Sequence, residues 1–170
     1  MRECGMLLPV ASLPSRYGIG AFSKEAYDFI DTLKAAGQSF WQILPLGPTS
    51  YGDSPYQSFS TFAGNPYYIS LEALVDEGLL AREECEAADL GADAGLVDYE
   101  KLYENRSPLL RKAYERSKAG NDPEFLRFKA ENAWWLDDYA LYMALKVANK
   151  MKNWVEWDAP YRRRDKAALA

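Results

Sequence analysis

The chain has no histidine among its 170 residues, and that absence excludes a good deal. Serine or cysteine nucleophiles activated by imidazole are ruled out, and with them the usual zinc sites. Any chemistry must come from carboxylates, hydroxyls or aromatic rings. Cysteine is scarce: Cys4 and Cys85 lie far apart with no Cys-x-x-Cys spacing, so reduced thiols are expected in place of a disulfide framework. Long apolar runs are missing as well. The stretch from Met6 to Val10 is interrupted by Pro9 and is too short for a signal peptide, and nothing approaches the ~20 apolar residues of a membrane span. Positive charge is in deficit, with 20 Lys and Arg against 25 Asp and Glu for a net charge of −5. Non-specific nucleic-acid binding rests on clustered cations, so nucleic acid is not an expected partner. These absences together predict a cytoplasmic protein with no membrane or nucleic-acid partner.

What is present fits one soluble globular unit, since 48% of the residues are hydrophobic and domains cluster at roughly 100 to 200 residues. Residues 5–11 are continuously apolar, as expected of a strand buried on both faces of a parallel sheet, with Pro9 tolerated only near its end. Ser23 is a suitable N-cap, and Ala26, Phe29, Ile30, Leu33 and Ala36 recur at helical spacing up to Gly37. A helix over residues 24–36 follows. Residues 39–45 read as a second buried strand, which makes a right-handed βαβ unit.

The remainder is expected to be mostly helical, over residues 71–78, 82–88, 108–118, 123–132 and 133–150. Asp122, Pro123 and Glu124 form a strong helix start, with an acceptor at the N-cap and proline at the first position. The last of these helices is apolar on two lines, Leu136, Ala140, Met143 and Val147 on one and Trp134, Leu141, Leu145 and Ala148 on the other. That pattern predicts burial against several neighbours.

Three motifs invite chemistry and are better explained by structure. Gly18 and Gly20 precede a helix in an incomplete dinucleotide fingerprint, with Ser23 at the third glycine and no acid at the end of the second strand. Asp137 and Asp138 are adjacent, and neighbours on a helix diverge by about 100°, whereas glycoside chemistry needs carboxylates facing across about 5 to 10 Å. The run from Arg162 to Arg164 reads as a solvated charge cluster in an acidic chain.

Residues 46–65 differ from all of this. They show neither helical nor strand periodicity, are punctuated by Gly47, Pro48, Gly52, Pro55 and Gly64, and leave the carboxyl end of a parallel strand. Structureless stretches of that length in a compact domain are functional or disordered, and six aromatics from Tyr51 through Tyr68 argue against disorder. Tyrosine faces can stack on the C–H face of a pyranose, while Asp, Ser, Asn and Gln can bind its hydroxyls. From composition, carbohydrate binding and a merely structural aromatic loop both remain open.

The motifs in and around this loop resemble a known family. The segments Gly5-Met-Leu-Leu-Pro-Val-Ala-Ser-Leu-Pro-Ser-Arg-Tyr-Gly-Ile-Gly20, Gln38-Ser-Phe-Trp-Gln-Ile-Leu-Pro-Leu-Gly-Pro-Thr49, Tyr51-Gly-Asp-Ser-Pro-Tyr-Gln-Ser58 and Ala63-Gly-Asn-Pro-Tyr67 closely resemble the amino-terminal part of 4-α-glucanotransferases. These are the amylomaltases or disproportionating enzymes, family seventy-seven of the glycoside hydrolases, in the α-amylase clan. Glu131 to Leu141 and Arg164-Asp165 with the alanines that follow are similar to later segments, so the resemblance spans nearly the whole chain in order. Arg16 stands where many relatives carry proline.

The resemblance implies an α/β fold: the amino-terminal part of a (β/α)8 barrel with an inserted, mostly helical subdomain. Residues 1–70 would form the first βαβ unit and sugar-binding loop, 71–160 the insert, and 161–170 the start of the return to the barrel, with another helix beginning around Asp165. It further implies a retaining double displacement in which an aspartate attacks the anomeric carbon, a glutamate protonates the leaving oxygen, a second aspartate steadies the distorted sugar, and a glucan 4-hydroxyl opens the intermediate. No metal or organic cofactor is implied. A barrel needs about 250 residues, and in the family all three carboxylates lie beyond Ala170, so the chain reads as an amino-terminal fragment with no catalytic acid of its own. Carried over by position, Tyr56 is a stacking platform next to the scissile bond and Ser54 hydrogen-bonds nearby. Tyr51 with Tyr99 resembles an accessory glucan-binding pair. Asp53 joins the substrate-binding set, with bracing of its own loop as the alternative. The partner is then a malto-oligosaccharide or other α-1,4-glucan, together with the rest of the barrel. A second reading is a non-catalytic α-glucan-binding module.

Overall fold

The computed structural model describes residues 2–91, 93 and 95–169. The chain divides into two compact units, residues 1–119 and 120–170. In the first, strand β1 (Gly5–Leu7) pairs in parallel with β2 (Phe40–Gln42), and helix α1 (Lys24–Ala35) makes the crossover. Gly5 lies opposite Phe40, Met6 opposite Trp41 and Leu7 opposite Gln42. A Cβ at residue 5 would meet the Phe40 carbonyl oxygen at 2.5 Å, so glycine is required by close approach of the backbones.

Both strands are shorter than the expected 5–11 and 39–45. The Leu8 amide still donates to the Gln42 carbonyl at 3.0 Å, but Pro9 has no N–H, and Val10–Ser12 turns into a 3₁₀ helix. Nor are the strands buried on both faces. Met6 and Phe40 are 46% and 57% exposed, because among the described residues this pair of strands has no further strand at either edge and one crossover helix to cover it. The covered part centres on Val10, Leu13 and Ala26, with Phe29 and Trp41 meeting edge to face at 5.1 Å. The indole N–H of Trp41 donates to the Leu8 carbonyl at 2.8 Å.

Helix α1 ends one residue before the expected boundary. Gly37, at φ 71°, lets its amide reach the Lys34 carbonyl and that of Gln38 reach Leu33, a paired closure that occupies the last free carbonyls. Ser23 sits at the N-cap position, and its hydroxyl is paired with the Glu25 carboxylate instead of a backbone amide.

Helices α2 (Leu71–Asp76), α3 (Arg82–Ala87) and α4 (Tyr99–Ser117) build a second core in the same unit. Leu71, Leu80, Cys85, Leu90, Leu102 and Leu109 are buried there, together with Tyr17 and Ile19 from the segment before α1. The sequence places the start of α4 at Pro108, where proline would suit a first helical position. In the structure Pro108 is internal, and the helix starts nine residues earlier at an Asp98 cap that accepts from the Lys101 amide at 3.1 Å. Burial of Leu102, Arg106 and Leu109 on one face outweighs the one backbone bond that Pro108 removes.

Glu84 ties α3 to α4. It accepts from Lys112 at 2.8 Å and from Arg116 at 2.6 and 3.0 Å, and also from the Ala81 amide at 3.0 Å. These donors hold its carboxyl well below the usual range, Arg116 contributing most.

The two glycines of the incomplete fingerprint serve this packing. A Cβ on Gly18 would lie 1.9 Å from the Leu90 carbonyl oxygen, and one on Gly20 would lie 2.0 Å from that of Val10.

In the second unit, α5 (Pro123–Glu131) begins as expected, with the Asp122 carboxylate accepting from the Glu124 and Phe125 amides at 2.7 and 3.1 Å. Helix α6 (Ala133–Ala148) is followed by α7 (Ala159–Arg162) and α8 (Lys166–Leu169). Ala170, the last residue of the expected closing helix, lies outside the described residues. The expectation that α6 is buried does not hold within this unit: Trp134 and Val147 are 67% and 65% exposed. Its buried side chain is Lys146, whose ammonium donates to the carbonyls of Met151 and Lys152 beyond the helix end. Asp138 pairs with Arg164, so one member of the adjacent carboxylates and one of the arginine run hold each other.

Candidate functional site

The long loop is closed at its base and again near its middle. At the base, the Asn65 amide donates to the Leu46 carbonyl at 2.8 Å, and the buried Asn65 side chain accepts from the Tyr67 amide at 2.9 Å. Further in, Thr49 and Ser58 form an isolated antiparallel bridge. Gly47 is needed there, since a Cβ would meet the Ser58 hydroxyl oxygen at 2.4 Å. Residues 50–57 are thus held on a closed bracket at the carboxyl end of β2.

Two consecutive turns fill that bracket. In the first, the Asp53 amide donates to the Ser50 carbonyl at 3.0 Å, and Gly52 at φ 88° supplies the positive φ that the third position of a type II turn requires. In the second, the Gln57 amide donates to the Ser54 carbonyl at 3.1 Å, and Pro55 stands at the second position, where its fixed φ suits the turn. Tyr51 occupies a corner of one turn and Tyr56 a corner of the other, and they are 101% and 74% exposed.

Asp53 joins the turns. Its φ of 53° is left-handed, a conformation that aspartate tolerates better than most residues, and its carboxylate accepts from the Thr49 hydroxyl at 3.1 Å. Ser54 is half-buried beside it, with its hydroxyl facing the Tyr56 amide at a long 3.4 Å.

Tyr99 lies at the start of α4, half-buried at the edge of the second core, with its ring 6.1 Å from that of Tyr67. Burial raises both phenols above their ordinary values, and the negative charge of Asp53 adds to the effect on each. Tyr67 is pushed up to about 12. The structure therefore brings Asp53 into the electrostatic field of Tyr67 and Tyr99, while Tyr51 has no ring contact among the described residues.

Behind this cluster sits Arg106, only 1% exposed. Its guanidinium donates to the carbonyl of Ile69 at 2.6 Å and to that of Tyr17 at 3.4 Å, and desolvation lowers it to about 10. It anchors the segment that leaves the loop to α4. Nothing in the sequence marks Arg106, a charged residue set in an apolar helical stripe. Asn65 carried a signal in standing directly before Pro66. Among the described residues no group of three or more His, Cys, Asp and Glu is placed to hold a metal ion, and no helix is long and apolar enough to cross a membrane.

An outward aromatic pair with hydroxyl and carboxylate groups between suits a ligand with flat apolar faces and many hydroxyls. Comparison with known proteins agrees with that chemistry. The glycoside hydrolase family 77 model, 4-alpha-glucanotransferase, matches residues 8–170. The chain belongs to this family. It is 50% identical over 170 residues to the 4-alpha-glucanotransferase of Streptococcus pneumoniae, covering 99% of the chain and 34% of the relative. To the Thermus thermophilus 4-alpha-glucanotransferase it is 48% identical, covering 99% of the chain and 33% of the relative. A solved structure, amylomaltase from Streptococcus agalactiae in complex with acarbose, superimposes with a TM-score of 0.90 at 40% identity, over 99% of this chain and 34% of that one. The chain thus spans about a third of the length of the curated family 77 relatives it matches.

Proposed function

We propose that the protein carrying this chain transfers α-1,4-glucan segments between malto-oligosaccharides, and that this chain supplies part of the glucan-binding cleft. The observation that carries the reading is the display of Tyr51 and Tyr56 at the corners of two hydrogen-bonded turns, at the carboxyl end of a parallel strand. In α/β proteins that end of the strands is where ligands bind. Family membership supports the reaction, and the acarbose bound in the amylomaltase relative supports the ligand class.

On this reading β1, α1 and β2 open a (β/α)8 barrel, and residues 71–160 form a mostly helical insert. Tyr56 stacks on a sugar ring beside the scissile bond, with Ser54 hydrogen-bonding nearby, and Tyr51 with Tyr99 forms an accessory glucan contact. The nucleophile and the acid come from segments other than these residues, and no cofactor takes part. The two free thiols, Cys4 and Cys85, suit the reducing cytoplasm as the location.

The test is to incubate the full-length protein with maltotriose. Glucose together with a ladder of longer malto-oligosaccharides is the expected product pattern. Unchanged maltotriose, or hydrolysis to glucose and maltose with no longer products, contradicts the proposal.

A further inference from the structure

We propose that Asp53 is a positioning residue: with Thr49 it locks the turn carrying Tyr51 and the turn carrying Tyr56 in one relative orientation, and acts on the glucan through Tyr56. This rests on the transfer reading above.

Three features of the loop lead there. First, Gly52 and Asp53 are consecutive residues at positive φ, 88° and 53°, and they lie where one turn ends and the next begins. The direction of the second turn, and so the place of Tyr56, is set by that backbone reversal. Second, the Asp53 carboxylate is engaged by the Thr49 hydroxyl at 3.1 Å, and Thr49 is itself fixed by its bridge to Ser58 at the neck of the bracket. The hydrogen bond therefore spans from the neck to the junction of the turns and resists their rotation. Third, the side chain is half-buried and its charge acts on the phenols of Tyr67 and Tyr99, which belong to the wall behind the loop. Among the described residues the rings of Tyr51 and Tyr56 have no such tie, and their place depends on this junction.

A positioning role makes a demand that direct sugar binding does not. It needs a residue that accepts left-handed φ and offers an acceptor to Thr49, and asparagine meets both conditions. A carboxylate that binds a sugar hydroxyl directly would lose its charge in the same replacement and be impaired.

The experiment measures kcat and KM for maltotriose disproportionation by the full-length protein. The variants are Asp53→Asn, Asp53→Ala, Asp53→Gly, Thr49→Val and the double variant Asp53→Gly with Thr49→Val, each with its melting temperature. We expect Asp53→Asn to retain activity within about threefold, while Asp53→Gly and Thr49→Val each lose about tenfold, a loss typical of a platform displaced by a fraction of an ångström. The double variant should be no worse than either single change, because both remove one hydrogen bond. Asp53→Ala should fall below Asp53→Gly, since a Cβ without a local hydrogen bond disfavours the left-handed backbone. In a Tyr56→Ala background, Asp53→Gly should add little further loss, which a merely structural role would not produce. If Asp53→Asn is as damaged as Asp53→Ala, or Asp53→Gly and Thr49→Val add in the double variant, the proposal is overturned. An active wild type with those results overturns this proposal alone, whereas a wild type that leaves maltotriose unchanged overturns the transfer reading first.

Discussion

The loop over residues 46–65 and helix α4 belong to the same compact unit and place their distinctive side chains in opposite ways. Helix α4 buries one face, including a guanidinium: Leu102, Arg106 and Ala113 are all at most 3% exposed, while Tyr103 and Tyr114 on its other side stay outside. The loop turns its tyrosines outward and holds itself with turn hydrogen bonds and a short bridge. Large apolar side chains are outside the core here without being loose, because the backbone beneath them is fixed at Leu46, Thr49, Ser58 and Asn65. On the proposed function, fold stability and ligand display are thus carried by different residues. Substitutions in α4 should change the first and substitutions in the loop the second.

The largest effect expected on the α4 side comes from Leu102→Ala. Leu102 is fully buried, and truncation of such a leucine costs about 2–5 kcal/mol of stability. Urea unfolding of the full-length protein would show it as a lowered midpoint. Arg106→Met comes next. It leaves the Ile69 and Tyr17 carbonyls without their donor inside the core, at about 1–3 kcal/mol, read in the same titration. A smaller and pH-dependent change is expected for Glu84→Gln. Because the folded-state pKa of Glu84 lies below its unfolded value, its contribution is fully present above the ordinary carboxylate range and is lost as pH falls through the folded value. Wild type should therefore melt higher than Glu84→Gln at neutral pH, and the gap should close in acid. The smallest effect is that of Tyr51→Ala, which should leave stability within about 0.5 kcal/mol, since the ring is fully exposed. A loss comparable to that of Leu102→Ala would break the division between the two regions.

Much of this was legible in the sequence where a local rule decides the outcome. The spacing from Ala26 to Leu33 with Gly37 behind it fixes α1, Asp122 with Pro123 fixes the start of α5, and the absence of period over residues 46–65 marks the loop. Local rules failed where long-range contacts decide. Pro108 reads as a helix start until Leu102 and Arg106 are seen buried six and two residues before it. The apolar run at residues 5–11 reads as a buried strand, yet Pro9 ends the ladder and this chain leaves Met6 and Leu7 exposed. At the site, Tyr51 and Tyr56 stood out as aromatics among turn residues. The tie between Thr49 and Asp53, and the arginine behind Tyr67, depend on how the chain folds back and had no signature strong enough to name them.

The most direct test of the central claim is Tyr56→Ala in the full-length protein, measured at once for maltotriose turnover and for unfolding midpoint. Tyr56 sits at a turn corner and is 74% exposed, so the account predicts a fall in turnover of more than about tenfold with the midpoint essentially unchanged. A variant whose turnover and midpoint fall together would contradict it and make Tyr56 a packing residue.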